Sequence, residues 1–239
     1  KSMGIGDLSI LISNIHAISE KIGGPVTVLA QENTRAKSIL QHDPHIEEVI
    51  EFNEKEIKGF FNIIKKIKPM KFDQSYIFSD SMRFYLISKI SGIKRNFHYK
   101  FFSKKGKNFY KTAKEFTEKI LNVEVDPQSK IYCNINDIEK ARKKYNITNK
   151  TKNIICGISA SGPTKRWNIN NYIRLFEELN KKHKSNFFLA GGLKDEDLIK
   201  KVIDSNIGKN CLSFSKMNLS EAIPIIGASQ YYIGNDTGW

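Results

Sequence analysis

No apolar run in the sequence approaches the ~20 residues that a membrane-spanning helix needs. Nor does a charged start lead into an apolar stretch of the kind that directs secretion, since Lys1 runs straight into a Gly-rich turn. There are three cysteines, Cys133, Cys156 and Cys211, far apart and without paired spacing. They argue against a disulfide framework and a zinc site, and fit a reducing compartment. The histidines are His16, His42, His45, His98 and His183. None stands at ligand spacing from Cys or Asp, so no metal site is expected, and no Ser-His-Asp pattern supports a hydrolase. The glycine signatures of nucleotide enzymes are also incomplete. MGIGDLS lacks the third glycine of the dinucleotide fingerprint, and SGPTKRW misses the Walker A spacing. The Asn-x-Ser/Thr triplets at Asn146, Asn149 and Asn218 are chance matches in a cytosolic chain.

What is present is a chain of 239 residues, 40% apolar and 27% charged, enough for a packed core but short for two full α/β domains. Lys and Arg number 39 against 25 Asp and Glu, a net charge of +14. That excess suits nucleic acid, an anionic membrane surface or a phosphorylated substrate. A Lys-rich solvated surface is the bland alternative.

Strand and helix patterns alternate from the start. DLSILISNIHAISEKIGG has apolar residues at helical spacing and a Gly-Gly stop. Then follow the strand PVTVLAQ, the helix NTRAKSILQ, the strand IEEVIEF, the helix EKEIKGFFNIIKKIK, the strand FDQSYIFS, the helix SMRFYLISKISG and the strand KRNFHY. This is the signature of βαβ units around a parallel sheet. KFFSKKGKNFYK is basic with interleaved aromatics, and a helix follows at about 109–121. The rhythm restarts with NIICGISA and ends on the strand QYYIGND. Residues 1–127 are therefore expected to form one Rossmann-like domain, 128–150 a linker region, and 151–239 a second.

Four segments could carry chemistry. In MGIGDLS, Gly4 and Gly6 precede a helix start, where free N–H groups attract anions and glycine lets a ligand come close. Asp7 there is either an N-terminal cap or a general base. In ISASGPTKRWNINNY, a loop of small residues holding Ser161 and Thr164 could wrap a diphosphate, with Lys165 neutralising its charge. An exposed polar loop is the alternative. In FLAGGLKDEDL, Gly191 ends a strand, and Asp195 and Glu196 either cap the next helix or accept ribose hydroxyls. In YYIGNDTGW, Asp236, Thr237 and Gly238 form either a tight turn or a ligand-binding strand end.

Taken in order, GIGDLSIL, SGPTKRWNINNY, AGGLKDE and GNDTG resemble the ADP-heptose:lipopolysaccharide heptosyltransferases, glycosyltransferase family nine. The resemblance covers nearly the whole chain, with TKRW and GNDTG its most specific parts. It implies a GT-B architecture, α/β with two doubly wound Rossmann-like domains facing each other across a cleft. The N-terminal domain would hold the acceptor and the C-terminal domain the nucleotide-sugar donor. The reaction implied is an inverting, metal-independent transfer of a heptose from ADP-heptose to the lipopolysaccharide inner core, with no cofactor. Asp7 matches the catalytic base, Lys165 the phosphate-binding lysine, Asp195 with Glu196 the ribose acceptor, and Asp236, Thr237 and Gly238 the donor-binding turn. The partners implied are a nucleotide sugar, a lipid A acceptor and an anionic membrane met peripherally from the cytoplasm. Both ends fall inside functional turns, so both domains are expected to be incomplete, the first lacking its opening strand and the second the histidine after DTG. A GT-B enzyme using another nucleotide sugar is the alternative. A basic nucleic-acid-binding protein is a weaker one, since no RNP or KH signature accompanies the lysines.

Overall fold

The computed structural model describes residues 3–53, 57–99, 108–160 and 162–235. The chain divides into two compact units, Lys1–Ile131 and Tyr132–Trp239. Both are built as the alternating pattern requires.

Unit 1 opens with helix α1 (Ile5–Ile22). Its apolar positions recur every three or four residues, so Leu8, Leu11, Ile12, Ile15 and Ile18 share one buried face. Gly23 ends it in the left-handed region at φ 77°, and the N–H groups of Gly23 and Gly24 both reach back to the Ser19 carbonyl. This is the closing geometry that glycine adopts without a Cβ penalty. Strands β1 (Val26–Gln31) and β2 (Ile46–Phe52) pair in parallel, as do β3 (Gln74–Ile77) and β4 (Arg95–His98). Helices α2 (Ala36–Leu40), α3 (Ile57–Ile67), α4 (Met82–Ile90) and α5 (Phe109–Leu121) complete the unit. Ile50, Phe52, Ile63, Ile64, Ile67 and Ile87 form the core between β2 and the helices. NTRAKSILQ, expected as one helix, is a 3-10 turn (Glu32–Thr34) followed by the short α2. The break falls at Arg35, whose left-handed φ of 55° interrupts the helical hydrogen bonds. A cavity of about 1330 Å³ lies between the two sheets, lined by α1, β1 and β3 and reaching Asp7 and Asp80.

The histidines depart from the sequence reading. His16 on α1 and His45 before β2 both meet the buried Asp43, at 2.7 and 3.1 Å. The expectation that no histidine pairs with Asp is thus corrected. Local spacing could not reveal this cluster, because His16 and Asp43 lie 27 residues apart.

Unit 2 holds a four-stranded parallel sheet in the order β7-β6-β5-β8, from β5 (Lys152–Gly157), β6 (Ser185–Ala190), β7 (Cys211–Ser213) and β8 (Tyr231–Gly234). Alternation along the strands sorts side chains to two faces. Ile154, Cys156, Phe187 and Leu189 pack with α7 (Ile169–Lys182) and α8 (Glu196–Ile203). Ile155, Phe188 and Ala190 pack with α6 (Ile135–Lys144) and α9 (Leu219–Ala228). The segment 128–150, read as a linker, carries α6, and Ala141 and Ile147 belong to the second of these cores. Burial on both faces is what a parallel sheet needs, and it explains why these strands read as nearly continuous apolar runs.

Phe176 of α7 stacks on Phe187 of β6 at 4.5 Å, and both are fully buried. Phe176→Ala is expected to cost unit 2 about 3–5 kcal/mol. Both tryptophans, Trp167 and Trp239, lie in this unit, so urea unfolding followed by their fluorescence reads it directly. A loss under about 1 kcal/mol would contradict the packing described.

Candidate functional site

In unit 2 the strand order reverses beside β5: the chain runs from β5 outward to β6 and β7, then returns to place β8 on the other side. Such a reversal of strand order opens a crevice beyond the carboxyl ends of the strands, where α/β sheets bind ligands. The sequence puts its glycines there. A Cβ on Gly234 would stand 2.8 Å from the Gly157 Cα, so the end of β8 tolerates no side chain against β5 there.

Asn235, next in the chain, ties the crevice together. Its N–H donates to the Gly157 carbonyl at 2.8 Å. Its Nδ2 donates to the Ile158 carbonyl at 3.0 Å. Its Oδ1 accepts the Trp167 N–H at 3.0 Å and the Tyr172 hydroxyl at 3.1 Å. Burial pushes the Tyr172 phenol up to about 12, so it remains a donor to Asn235 at any working pH. One amide thus joins the end of β8, the end of β5 and the far side of the 161–168 loop. Asn168 then caps α7 by accepting the Asn170 N–H at 2.9 Å.

Within that loop Thr164 and Lys165 are exposed, on a single 3-10 turn closed by the Lys165 N–H to the Gly162 carbonyl. Arg166 bridges inward, its Nη2 3.2 Å from the Ala160 carbonyl and 3.5 Å from the Asp195 Oδ1. Asp195 has its other oxygen on the Gly192 N–H at 3.1 Å, which closes the 3-10 turn Leu193–Asp195, and its side chain makes no capping bond to α8. Gly191 is needed for closeness, since a Cβ there would meet Ile199 and Asp195 at 3.2 and 3.3 Å. Glu196 is exposed on the first turn of α8, where the helix dipole favours a carboxylate. Lys165 and Asp195, seen separately in the sequence, thus flank Arg166, which the sequence reading did not single out. Neither did it single out Asn235. Its position before Asp in a turn was the available signal. Ser161, Asp236, Thr237 and Gly238 lie outside the described residues. Cys156 lies beneath the crevice, and burial holds its thiol far above the usual range, so it is packing and not a nucleophile.

In unit 1, Asp7 stands in the first turn of α1, half-buried, with Oδ2 accepting the Gly4 N–H at 3.0 Å. The cap interaction is therefore real, and it fixes the carboxylate at the helix mouth. The Met3 N–H, bonded to Gln31 Oε1 at 3.1 Å, ties this turn to the carboxyl end of β1. At Gly4 and Gly6 a Cβ would meet nothing within 4 Å. Their lack of a side chain leaves open space beside the helix start. Asp7 lines the same cavity as Asp80 and Tyr99. The Tyr99 hydroxyl donates to Asp80 at 2.8 Å, and burial first, then Asp80, pushes the phenol up to about 12. Asp80 and Tyr99 are further polar groups that the sequence did not mark. Among the described residues, no helix is long and apolar enough to cross a membrane.

No curated protein sequence matches the chain. The structure is similar to ADP-heptose lipopolysaccharide heptosyltransferase II of E. coli, with a TM-score of 0.77 at 15% identity over 99% of this chain and 78% of that one. It is similar to a family 9 glycosyltransferase of Veillonella parvula DSM 2008, with a TM-score of 0.80 at 15% identity over 100% and 74%. It is also similar to the E. coli heptosyltransferase WaaC with ADP, with a TM-score of 0.74 at 12% identity over 100% and 80%. These likenesses establish the GT-B α/β fold that the resemblance implied. The family model for glycosyltransferase family 9 (heptosyltransferase) matches residues 104–239, more than half of the sequence. The chain belongs to glycosyltransferase family 9.

Proposed function

We propose that this protein transfers a heptose from ADP-heptose to the inner core of lipopolysaccharide, with inversion at the anomeric carbon. The observation that carries the reading is the crevice at the strand reversal of unit 2, where Asn235 holds a basic loop beside an acidic helix start. Such a crevice suits a nucleoside diphosphate. Lys165, on the exposed turn, supplies a cation to the diphosphate, and Arg166 braces the loop against Asp195. Asp195 and Glu196 accept ribose hydroxyls, and Asp236, Thr237 and Gly238 complete the donor turn. The similarity to an ADP-bound heptosyltransferase supports an adenine nucleotide as donor.

The acceptor side belongs to unit 1. Asp7 takes the proton of an acceptor hydroxyl while that oxygen attacks the anomeric carbon. The new glycosidic C–O bond forms as the bond to the diphosphate breaks, and ADP departs with the electron pair from the opposite face. Charge gathering on the diphosphate meets Lys165 and backbone N–H groups, so the reaction as drawn needs no metal at the phosphates.

The lipid A acceptor lies in a membrane, and unit 1 has a surface suited to one. Lys65, Lys66, Lys68 and Lys71 are exposed on and after α3, and Phe61 of α3 and Leu86 and Ile90 of α4 are 65%, 51% and 53% exposed. Exposed lysines and exposed apolar side chains suit an anionic cytoplasmic leaflet.

Asp7→Asn is expected to lower turnover by about 10²–10⁴-fold while ADP affinity changes little. Steady-state assay paired with calorimetric ADP titration separates the two, and an equal loss of both rules out the base. Binding to vesicles should rise with the fraction of anionic lipid and fall in Lys65→Glu/Lys68→Glu, since each lysine contributes about 1 kcal/mol near such a surface. Co-sedimentation that ignores lipid charge removes the membrane reading.

A further inference from the structure

The cluster on Asp43 plays no part in the transfer reaction. Asp43 is at the amino end of β2: the His45 carbonyl accepts the Val26 N–H at 2.8 Å, at the start of β1. Asp7 stands nine residues before His16 on α1, a separation of about 13 Å along the helix at 1.5 Å per residue. The cluster is therefore a separate feature and does not depend on the proposed function.

Its geometry is that of a ligand set. Asp43 has a side chain only 1% exposed, and its two oxygens face two different imidazoles. Oδ2 is 2.7 Å from His16 Nε2, and Oδ1 is 3.1 Å from His45 Nδ1. The two rings stack with centroids 4.3 Å apart. One donor atom from each of the three residues lies within 4.8 Å of the others. Glu20 Oε1 is 3.5 Å from the other ring nitrogen, His45 Nε2, so it can orient the ring from behind as an outer partner. Glu20 follows His16 by four positions on α1, so helical geometry puts both on one face. Asp43 and His45 come from the tight Asp-Pro-His turn, whose proline restricts the backbone. The His45 N–H donates to Asp43 Oδ1 at 3.0 Å and fixes the carboxylate.

We infer that His16, Asp43 and His45 form a binding site for a divalent transition-metal ion, of which Zn²⁺ is the type, with Glu20 orienting His45 from its other nitrogen. Zinc ligands stand ~2.0–2.2 Å from the ion, which places tetrahedral neighbours roughly 3.3 Å from one another. The observed His16–Asp43 and His45–Asp43 separations of 2.7 and 3.1 Å lie just inside that value, and the three donor atoms lie within 4.8 Å of one another. Two imidazoles with carboxylate oxygens suit zinc, cobalt or nickel, whereas magnesium and calcium prefer oxygen alone. On binding, the ion replaces the proton shared between His16 Nε2 and Asp43, and that proton leaves to solvent. The bound ion would staple α1 to the turn before β2 and stabilise unit 1 without touching the diphosphate chemistry.

The test uses the whole chain, stripped with a chelator and titrated with ZnCl₂ and then CoCl₂. One equivalent of Zn²⁺ should bind and raise the thermal midpoint, and bound Co²⁺ should show the visible bands of a low-coordinate ion. His45→Gln should abolish both effects. Glu20→Gln should weaken affinity about tenfold. Its side chain is 70% exposed, so the variant is expected to fold even where a histidine variant does not. The isolated exposed His183→Gln should bind as the parent does. Failure to take up either ion overturns the site, as does uptake that survives unchanged in both Glu20→Gln and His45→Gln.

Discussion

Strand β5 must satisfy neighbours on both edges and bury both faces, and unit 2 follows from that demand. Its edges pair with β6 and β8, its Ile154 and Cys156 face one set of helices, and Ile155 faces the other. A strand so placed cannot also accept a helix beyond its carboxyl end on both sides, so the crevice at Gly157 and Gly234 is a consequence of the sheet order. Asn235 converts that opening into a shaped site. Four hydrogen bonds from one residue hold the loop that bears Lys165 against the strand ends, at little conformational cost to a ligand that enters later.

The two units meet different demands with the same alternation of strand and helix. In unit 2 the sheet is continuous across four strands. In unit 1 the strands pair as two separate ribbons, and the buried face of α1 lies along the cavity between them. The helix mouth that carries Asp7 is held at one end by the Gly4 N–H and the Gln31 side chain. The amino ends of β1 and β2 are tied to the same helix through Asp43 and His16.

Much of this was legible from sequence because the signals were local. Apolar period and Gly stops place α1, and the apolar runs NIICG and NFFLA announce strands buried on both faces. The acidic residues after Gly192 read as a helix start, and α8 does begin at Glu196, with Asp195 closing the 3-10 turn before it. What escaped was set by distance in the chain. Nothing near Asn235 announces Trp167, 68 positions away, and nothing near Asp43 announces His16. Arg35 shows a different limit, because a left-handed residue outside glycine leaves no compositional mark. Lys165 was given the diphosphate role from the loop's composition, and the resemblance repeated it. The structure adds Arg166, whose guanidinium reaches the Ala160 carbonyl and Asp195.

The central claim is that unit 2 binds an ADP-sugar at the strand reversal. The most direct test is thermal stability of the protein against ADP-, UDP- and GDP-sugars at one common concentration, where a ligand at about 100 times its dissociation constant adds ~2.7 kcal/mol. The account predicts a raised midpoint with ADP-heptose, and no such rise when the UDP- or GDP-sugar takes its place. A rise with a UDP- or GDP-sugar alone, or with none of the three, would contradict it.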